Sequence, residues 1–253
     1  MSSVTFLGTG GARVLVFKQL LASGGLWLDI DGTLLLVDPG PGSLVQATKR
    51  KLSPEKLGGV ILTHRHLDHC ADVNSIIEAM TTGGLKRHGT LFAPADALDE
   101  DPVVLRYARP YLGEIQTLRE GQRYEIGTAK FACPVRHAHS VETYGLVFET
   151  AQGRLALITD TAYFPELAQH YRSEYLIINT VLLEPIEGID HLSVGQAHQL
   201  IEQIRPQVAV LTHFGMNVWR ARPWEIAARM TEETGVKVIS ARDGMRLELT
   251  APS

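Results

Sequence analysis

The most constraining stretch of the chain is Thr63-His64-Arg65-His66-Leu67-Asp68-His69, directly after the apolar run Val60-Ile61-Leu62. Three histidines and an aspartate fall within six residues on the turn that leaves a short buried strand. A lone histidine would say little, but this density of polar groups beside a core is costly unless the groups are engaged. Imidazole nitrogen and carboxylate oxygen are zinc's usual ligands outside thiolate sites. Side chains alternate along extended backbone, so His64 and His66 face the same side. Asp68 and His69 then open a helical turn, whose N-terminus favours a carboxylate. Whatever the fold, it must bring other donors to this turn.

The surrounding sequence supplies strands and helices in a mixed order. Val4 to Leu7 reads as a strand broken by Gly8-Thr9-Gly10-Gly11, and Leu26 to Ile30 and Thr33 to Val37 flank the hairpin signal Asp31-Gly32. A helix is expected from Ser43 to Lys49, capped by the Ser43 hydroxyl, and another over Ala71 to Met80 with Val73, Ile76, Ile77 and Met80 on one face. Thr81 to Arg119 reads as loops with a short helix near Val103 to Ala108. A strand meander follows over Tyr124 to Ile126, Ala129 to Val135, Tyr144 to Glu149 and Arg154 to Ile158. Helices and strands then alternate: Pro165 to His170, Tyr175 to Ile178, a helix opened by the capping box of Ser193 and Gln196, Val208 to Leu211, Pro223 to Thr234, Val236 to Ile239 and Met245 to Leu249. No polar linker interrupts the order, so the 253 residues are expected to form one α/β domain, two packed sheets with helices outside.

Composition narrows the function. The formal charge of −4, from 24 Lys and Arg against 28 Asp and Glu, argues against a broad polyanion-binding face, and nucleic acid is not the expected partner. No basic-then-apolar leader and no membrane-length apolar run is read, so a cytoplasmic protein without membrane attachment is expected. Cys70 and Cys133, the only cysteines, are expected as reduced thiols, Cys70 in the core. Gly8 to Gly11 lacks the Lys-Ser/Thr of a phosphate loop, and a tight turn near the metal edge is the better reading. Arg13 is read as a surface residue, and no metal is expected at His88, His170 or His198.

His64-Arg65-His66-Leu67-Asp68-His69 resembles the His-x-His-x-Asp-His signature of the metallo-β-lactamase superfamily, and the resemblance extends over nearly the whole chain. Phe6-Leu7-Gly8-Thr9-Gly10 looks like the opening of the ribonuclease Z and small-phosphodiesterase branch. Leu36-Val37-Asp38-Pro39-Gly40, His139-Ser140-Val141 with Gly145, Thr159-Asp160-Thr161, Asp190-His191-Leu192-Ser193 and Leu211-Thr212-His213-Phe214 are similar to later motifs. The resemblance implies a four-layer αββα sandwich and two divalent ions, zinc first, with manganese and iron as alternatives. It implies that His64, His66 and His139 hold one ion, that Asp68, His69 and His213 hold the other, and that Asp160 bridges them. Two ions that close lower the pKa of a shared water and stabilise the attacked and leaving oxygens. Asp68 is then a candidate to orient or deprotonate the nucleophile, His191 to contact the substrate oxyanion or protonate the leaving group, and Asp38 to support a ligating histidine. His137, two residues before His139, is a rival for its place, and the motif favours His139.

The expected function is therefore that of a dinuclear metal-dependent hydrolase acting on a small-molecule substrate. A small phosphodiester is preferred because the opening and the His191 segment match that branch while no segment reads as the tRNA-gripping arm of ribonuclease Z. A lactone or thioester is the alternative, decided by Thr81 to Tyr111, where Leu91 to Pro94 offers apolar surface and Lys86 and Arg87 offer positive charge. A metal-dependent binding protein without turnover is the third reading. Family analogy adds a homodimer.

Overall fold

A computed structural model describes residues 1–11, 13–99 and 101–251. Two seven-stranded mixed sheets face each other. The first contains β1 (Ser3–Phe6), β2 (Leu26–Ile30), β3 (Thr33–Val37), β4 (Gly59–Ile61), β5 (Thr90–Ala93), β6 (Glu114–Thr117) and β14 (Arg246–Glu248), in the order β14-β1-β2-β3-β4-β5-β6. The second contains β7 (Arg123–Ile126), β8 (Ala129–Ala132), β9 (Leu146–Thr150), β10 (Gly153–Ile158), β11 (Tyr175–Asn179), β12 (Val208–Thr212) and β13 (Lys237–Ser240), in the order β13-β12-β11-β10-β9-β8-β7.

The central strands, such as β3, β4, β10 and β11, are apolar on both faces because both faces are covered, as expected of sheets with helices outside. Along β3, Leu35 and Val37 enter the core between the sheets while Leu36 points outward; along β11, Tyr175 and Ile177 enter and Leu176 and Ile178 leave. The outer face of the first sheet is covered by α2 (Ser43–Lys49) and α4 (Val73–Thr81). The second is covered by α5 (Leu167–His170), α6 (Val194–Ile204), α7 (Met216–Arg220) and α8 (Pro223–Thr234). The result is the expected αββα sandwich. The hairpin is where Asp31-Gly32 placed it, with Ile30 opposite Thr33 and both turn residues at positive φ, 49° and 95°.

Several local expectations need correction. Ser43 is not the cap of α2: Gly42 holds that position, the buried Ser43 hydroxyl has no partner, and the Leu44 amide donates to Asp72 Oδ2 across 3.0 Å. The helix expected over Ala71 to Met80 starts two residues late, at Val73, because Asp72 turns its amide to the Pro39 carbonyl; α3 (Leu67–Cys70) is a separate turn before it. The intended face, Val73, Ile76, Ile77 and Met80, is buried as expected.

No helix forms over 103–108. Asn74 instead clamps that backbone, accepting from the Leu105 amide and donating to the Val103 carbonyl at 2.9 Å each. Leu91, Phe92 and Ala93 are buried in β5 rather than exposed around a pocket, and Arg87 donates to the carbonyls of Leu112 and Gly113. The short α1 (Arg13–Lys18) after the glycine loop was not expected. No described helix is long and apolar enough to cross a membrane.

Candidate metal centre

The parallel strands of both sheets end at one edge, and the cluster is built from the residues that follow them. Asp38 follows β3, His64 to His69 follow β4, Asp160 follows β10 and His213 follows β12. Ligands commonly sit outside the carboxyl ends of such strands. His139 comes from the connection between β8 and β9, and His191 from the one between β11 and α6.

Two groups of donors converge. One donor atom from each of His64, His66 and His139 lies within 4.8 Å of the others, and the same holds for Asp68, His69 and His213. Between the groups stands Asp160, 2% exposed. Its Oδ2 is 3.8 Å from His64 Nε2, 3.3 Å from His69 Nε2 and 3.5 Å from His213 Nε2. Its Oδ1 accepts from Asn179 Nδ2 at 2.9 Å, which fixes the plane of the carboxylate. Asp68 Oδ2 lies 3.8 Å from His69 Nε2 and 3.6 Å from His213 Nε2.

A second ring of hydrogen bonds aims these donors. Asp38 Oδ2 accepts from His69 Nδ1 at 2.9 Å and from the Thr63 hydroxyl at 2.6 Å, while Oδ1 accepts from the Thr63 amide at 2.7 Å. The Thr63 hydroxyl, having given its proton to Asp38, can accept from His64 Nδ1 at 3.1 Å. His139 Nδ1 donates to the Asp190 carbonyl at 3.0 Å, leaving Nε2 with its lone pair 3.1 Å from His66 Nδ1. Such partners fix the tautomer that a metal-ligating imidazole needs. Asp38, His64 and His69 also form a close group, but the oxygens of Asp38 are occupied by these bonds, so it supports rather than ligates.

The donor set fits cations. His64 Nε2 is buried with no hydrogen-bond partner among the described residues, and burial holds that ring's pKa well below the usual histidine value, so it presents an unused lone pair. Burial alone would lower His69 as well, yet Asp160, Asp68 and Asp38 outweigh it and hold its pKa well above the ordinary value. For Asp160, burial would raise the pKa, but His213 and His69 prevail and keep it well below the carboxylate range. Carboxylates packed this closely on buried rings call for positive charge. Two contributors, Asp38 (φ 51°) and His213 (φ 57°), also hold the left-handed backbone region that non-glycine residues rarely adopt and that clusters at functional sites.

His137 is not in the cluster. It is buried, with Nε2 2.7 Å from the Tyr171 hydroxyl and Nδ1 3.2 Å from the Asp160 carbonyl, so both ring nitrogens are engaged behind the site. Burial lowers its pKa to about 4, which keeps the ring neutral. His191 faces the cluster, its buried Nδ1 3.6 Å from Asp160 Oδ2 and without a hydrogen-bond partner among the described residues. His88 is bound to the Leu57 carbonyl, and His198 pairs with Glu202 and Glu233 on the helical face. Cys70 and Cys133 are free and buried. The residues missed from sequence are Thr63, Asn179 and Tyr171. Asn179 had a signal, a polar side chain ending the apolar run Tyr175 to Ile178.

An αββα sandwich with a histidine and aspartate cluster at this edge is the architecture of metallo-β-lactamase-type hydrolases. The chain belongs to that group: the beta-lactamase superfamily domain matches residues 33–214. It is 28% identical to an uncharacterized protein of Methanocaldococcus jannaschii, covering 97% of this chain and 94% of the relative. It is 24% identical to a ribonuclease Z of Borreliella afzelii, covering 97% and 96%, in an alignment of 311 positions. Among solved structures, a diphosphatase from the PhnP family superposes with a TM-score of 0.71 at 20% identity, covering 100% of both chains.

Proposed function

We propose that this protein is a dinuclear metal-dependent phosphodiesterase acting on a small phosphodiester. The observation that carries the reading is His191, an imidazole outside both donor groups whose unpartnered Nδ1 faces the carboxylate between them. A binding site would need the donors alone, whereas hydrolysis of a diester also needs a proton for the departing alkoxide. The name of one relative, ribonuclease Z, denotes phosphodiester cleavage, which supports the reading. The ribonuclease alignment runs to 311 positions against 253 residues here, so that relative has segments without counterpart in this chain, in keeping with a smaller substrate.

His64, His66 and His139 would hold one ion, Asp68, His69 and His213 the other, with Asp160 shared. Two divalent ions, zinc by the nitrogen-rich donor set, supply Lewis acidity for activating water and for stabilising charge on the phosphoryl oxygens. The chain's own groups do the rest. Asp38 and the Asp190 carbonyl keep His69 and His139 in the tautomers the site needs. Asp68 accepts a proton from the attacking water. His191 gives one to the leaving oxygen as the phosphorus–oxygen bond breaks, releasing a phosphomonoester and an alcohol. By family analogy the enzyme works as a homodimer.

The test combines elemental analysis with hydrolysis of bis(p-nitrophenyl) phosphate, on the native chain and on Asp160→Ala. About two ions per chain, with activity lost in the variant, is the expected result. Two ions without diester turnover would transfer the site to lactones or thioesters, and failure to bind metal even after reconstitution would refute the metal-dependent reading altogether.

A further inference from the structure

Gly8 to Gly11, which the sequence marks as a tight turn, and Asp243 lie at opposite ends of the chain. In the structure they meet. Asp243 Oδ1 accepts from the Thr9 amide at 2.9 Å and from the Thr9 hydroxyl at 2.7 Å, and Oδ2 accepts from the Ala22 amide at 2.7 Å. All three acceptor bonds thus run from one exposed turn after β13 to the loop after β1 and the segment after α1.

The other side of that loop is bonded to the metal-site strand end. The Phe214 amide donates to the Thr9 carbonyl and the Gly11 amide to the Phe214 carbonyl, each at 2.9 Å. Thr9 is therefore held between Asp243 on one side and the residue after His213 on the other. The contact with His213 itself is close: a Cβ at Gly11 would collide with the imidazole ring and with the His213 carbonyl. His213 sits at φ 57°, a conformation that needs its surroundings to hold it.

The geometry points to Asp243 as a positioning residue for His213, acting through Thr9 and the glycine loop. It rests on the two-ion reading above only for its consequence: the ion of the Asp68, His69 and His213 group should weaken when the clamp is removed, and the ion of the His64, His66 and His139 group should not. The hydrogen bonds of Asp243 go to Thr9 and Ala22 rather than to any of the seven donors, so no loss of a ligand enters the comparison. A carboxylate suits the position because it alone offers acceptors on both oxygens for three converging donors.

The experiment measures zinc stoichiometry at buffered free zinc, and amide hydrogen exchange of zinc-loaded and zinc-stripped protein, for the native chain, Asp243→Ala, Asp243→Asn and Thr9→Val. In Asp243→Ala one zinc should be retained and the other bound about 10–100-fold more weakly, the usual range for losing a residue that orients a ligand. The Phe214 and Gly11 amides should exchange at least about tenfold faster in both forms, with those of β4 and β10 unchanged. Asp243→Asn, which keeps one acceptor oxygen, and Thr9→Val, which keeps the backbone bond, should fall between. Native zinc binding and exchange in Asp243→Ala and Thr9→Val would overturn the assignment, as would equal weakening of both ions with exchange raised throughout. A native chain without zinc would refute the two-ion reading, while the exchange rates would still decide whether Asp243 holds the loop.

Discussion

Replacing Asp38 by asparagine tests how the centre is aimed. Asp38 is 7% exposed and accepts three bonds at 2.6 to 2.9 Å, from His69, the Thr63 hydroxyl and the Thr63 amide. Asparagine tolerates the left-handed φ of 51° at this position, so the backbone is spared and the effect is that of the side chain. Its single oxygen can serve the Thr63 amide, but its NH2 then meets the donors of His69 and Thr63. A hydrogen bond to a charged group is worth about 1.5–3 kcal/mol, and a buried donor left unsatisfied costs about 1–3 kcal/mol. With relaxation of the pair, a loss of about 3 kcal/mol follows. At roughly 2–4 °C per kcal/mol for a domain near this size, Tm should fall by about 6–12 °C. The assay is thermal unfolding of chelator-treated protein, so that ion binding does not contribute, followed by zinc titration, where affinity should drop about 10–100-fold. Unfolding within about 2 °C of the native chain, with native zinc affinity, would refute the reasoning that this carboxylate orients His69.

The remaining expectations are more local. His191→Ala should lower kcat about 10²–10⁴-fold while leaving metal content unchanged; loss of metal in this variant would make His191 a ligand instead. Ser43→Ala should be neutral or slightly stabilising in urea unfolding, since the hydroxyl is buried without a partner among the described residues, whereas Asp72→Ala should cost about 1 kcal/mol because its carboxylate accepts from the Leu44 amide in the first turn of α2. His137 makes stability depend on acid. Its folded pKa of about 4 lies below the ordinary unfolded value of about 6.5, so the unfolded chain takes up the proton first and stability is lost as pH falls from about 6.5 to 4. The contribution reaches about 3 kcal/mol, and His137→Gln should flatten that part of the stability profile of the chelator-treated protein.

What the sequence determined by itself is what depends on near neighbours. The spacing His64-x-His66-x-Asp68-His69 places four donors on one turn through backbone geometry alone. The alternation along β3 and β11, apolar on both faces, already requires a layer on either side. The box of Ser193 and Gln196 closes over three residues, and both of its bonds form, at 3.3 and 3.0 Å. Tertiary structure decided everything that needs a distant partner. Four short residues, Thr90–Ala93, become a buried strand only because β4 lies beside them. His137 and His139 are separated as support and candidate ligand by Tyr171, the Asp160 carbonyl and the Asp190 carbonyl, up to 51 positions away. The acceptor for the first turn of α2 comes from Asp72, 28 positions on from Leu44, and the loop beside His213 is held by Asp243, 234 positions from Thr9. A hydrogen bond is decided within about 3 Å, and across such separations only the packing of the two sheets determines which groups come within that reach.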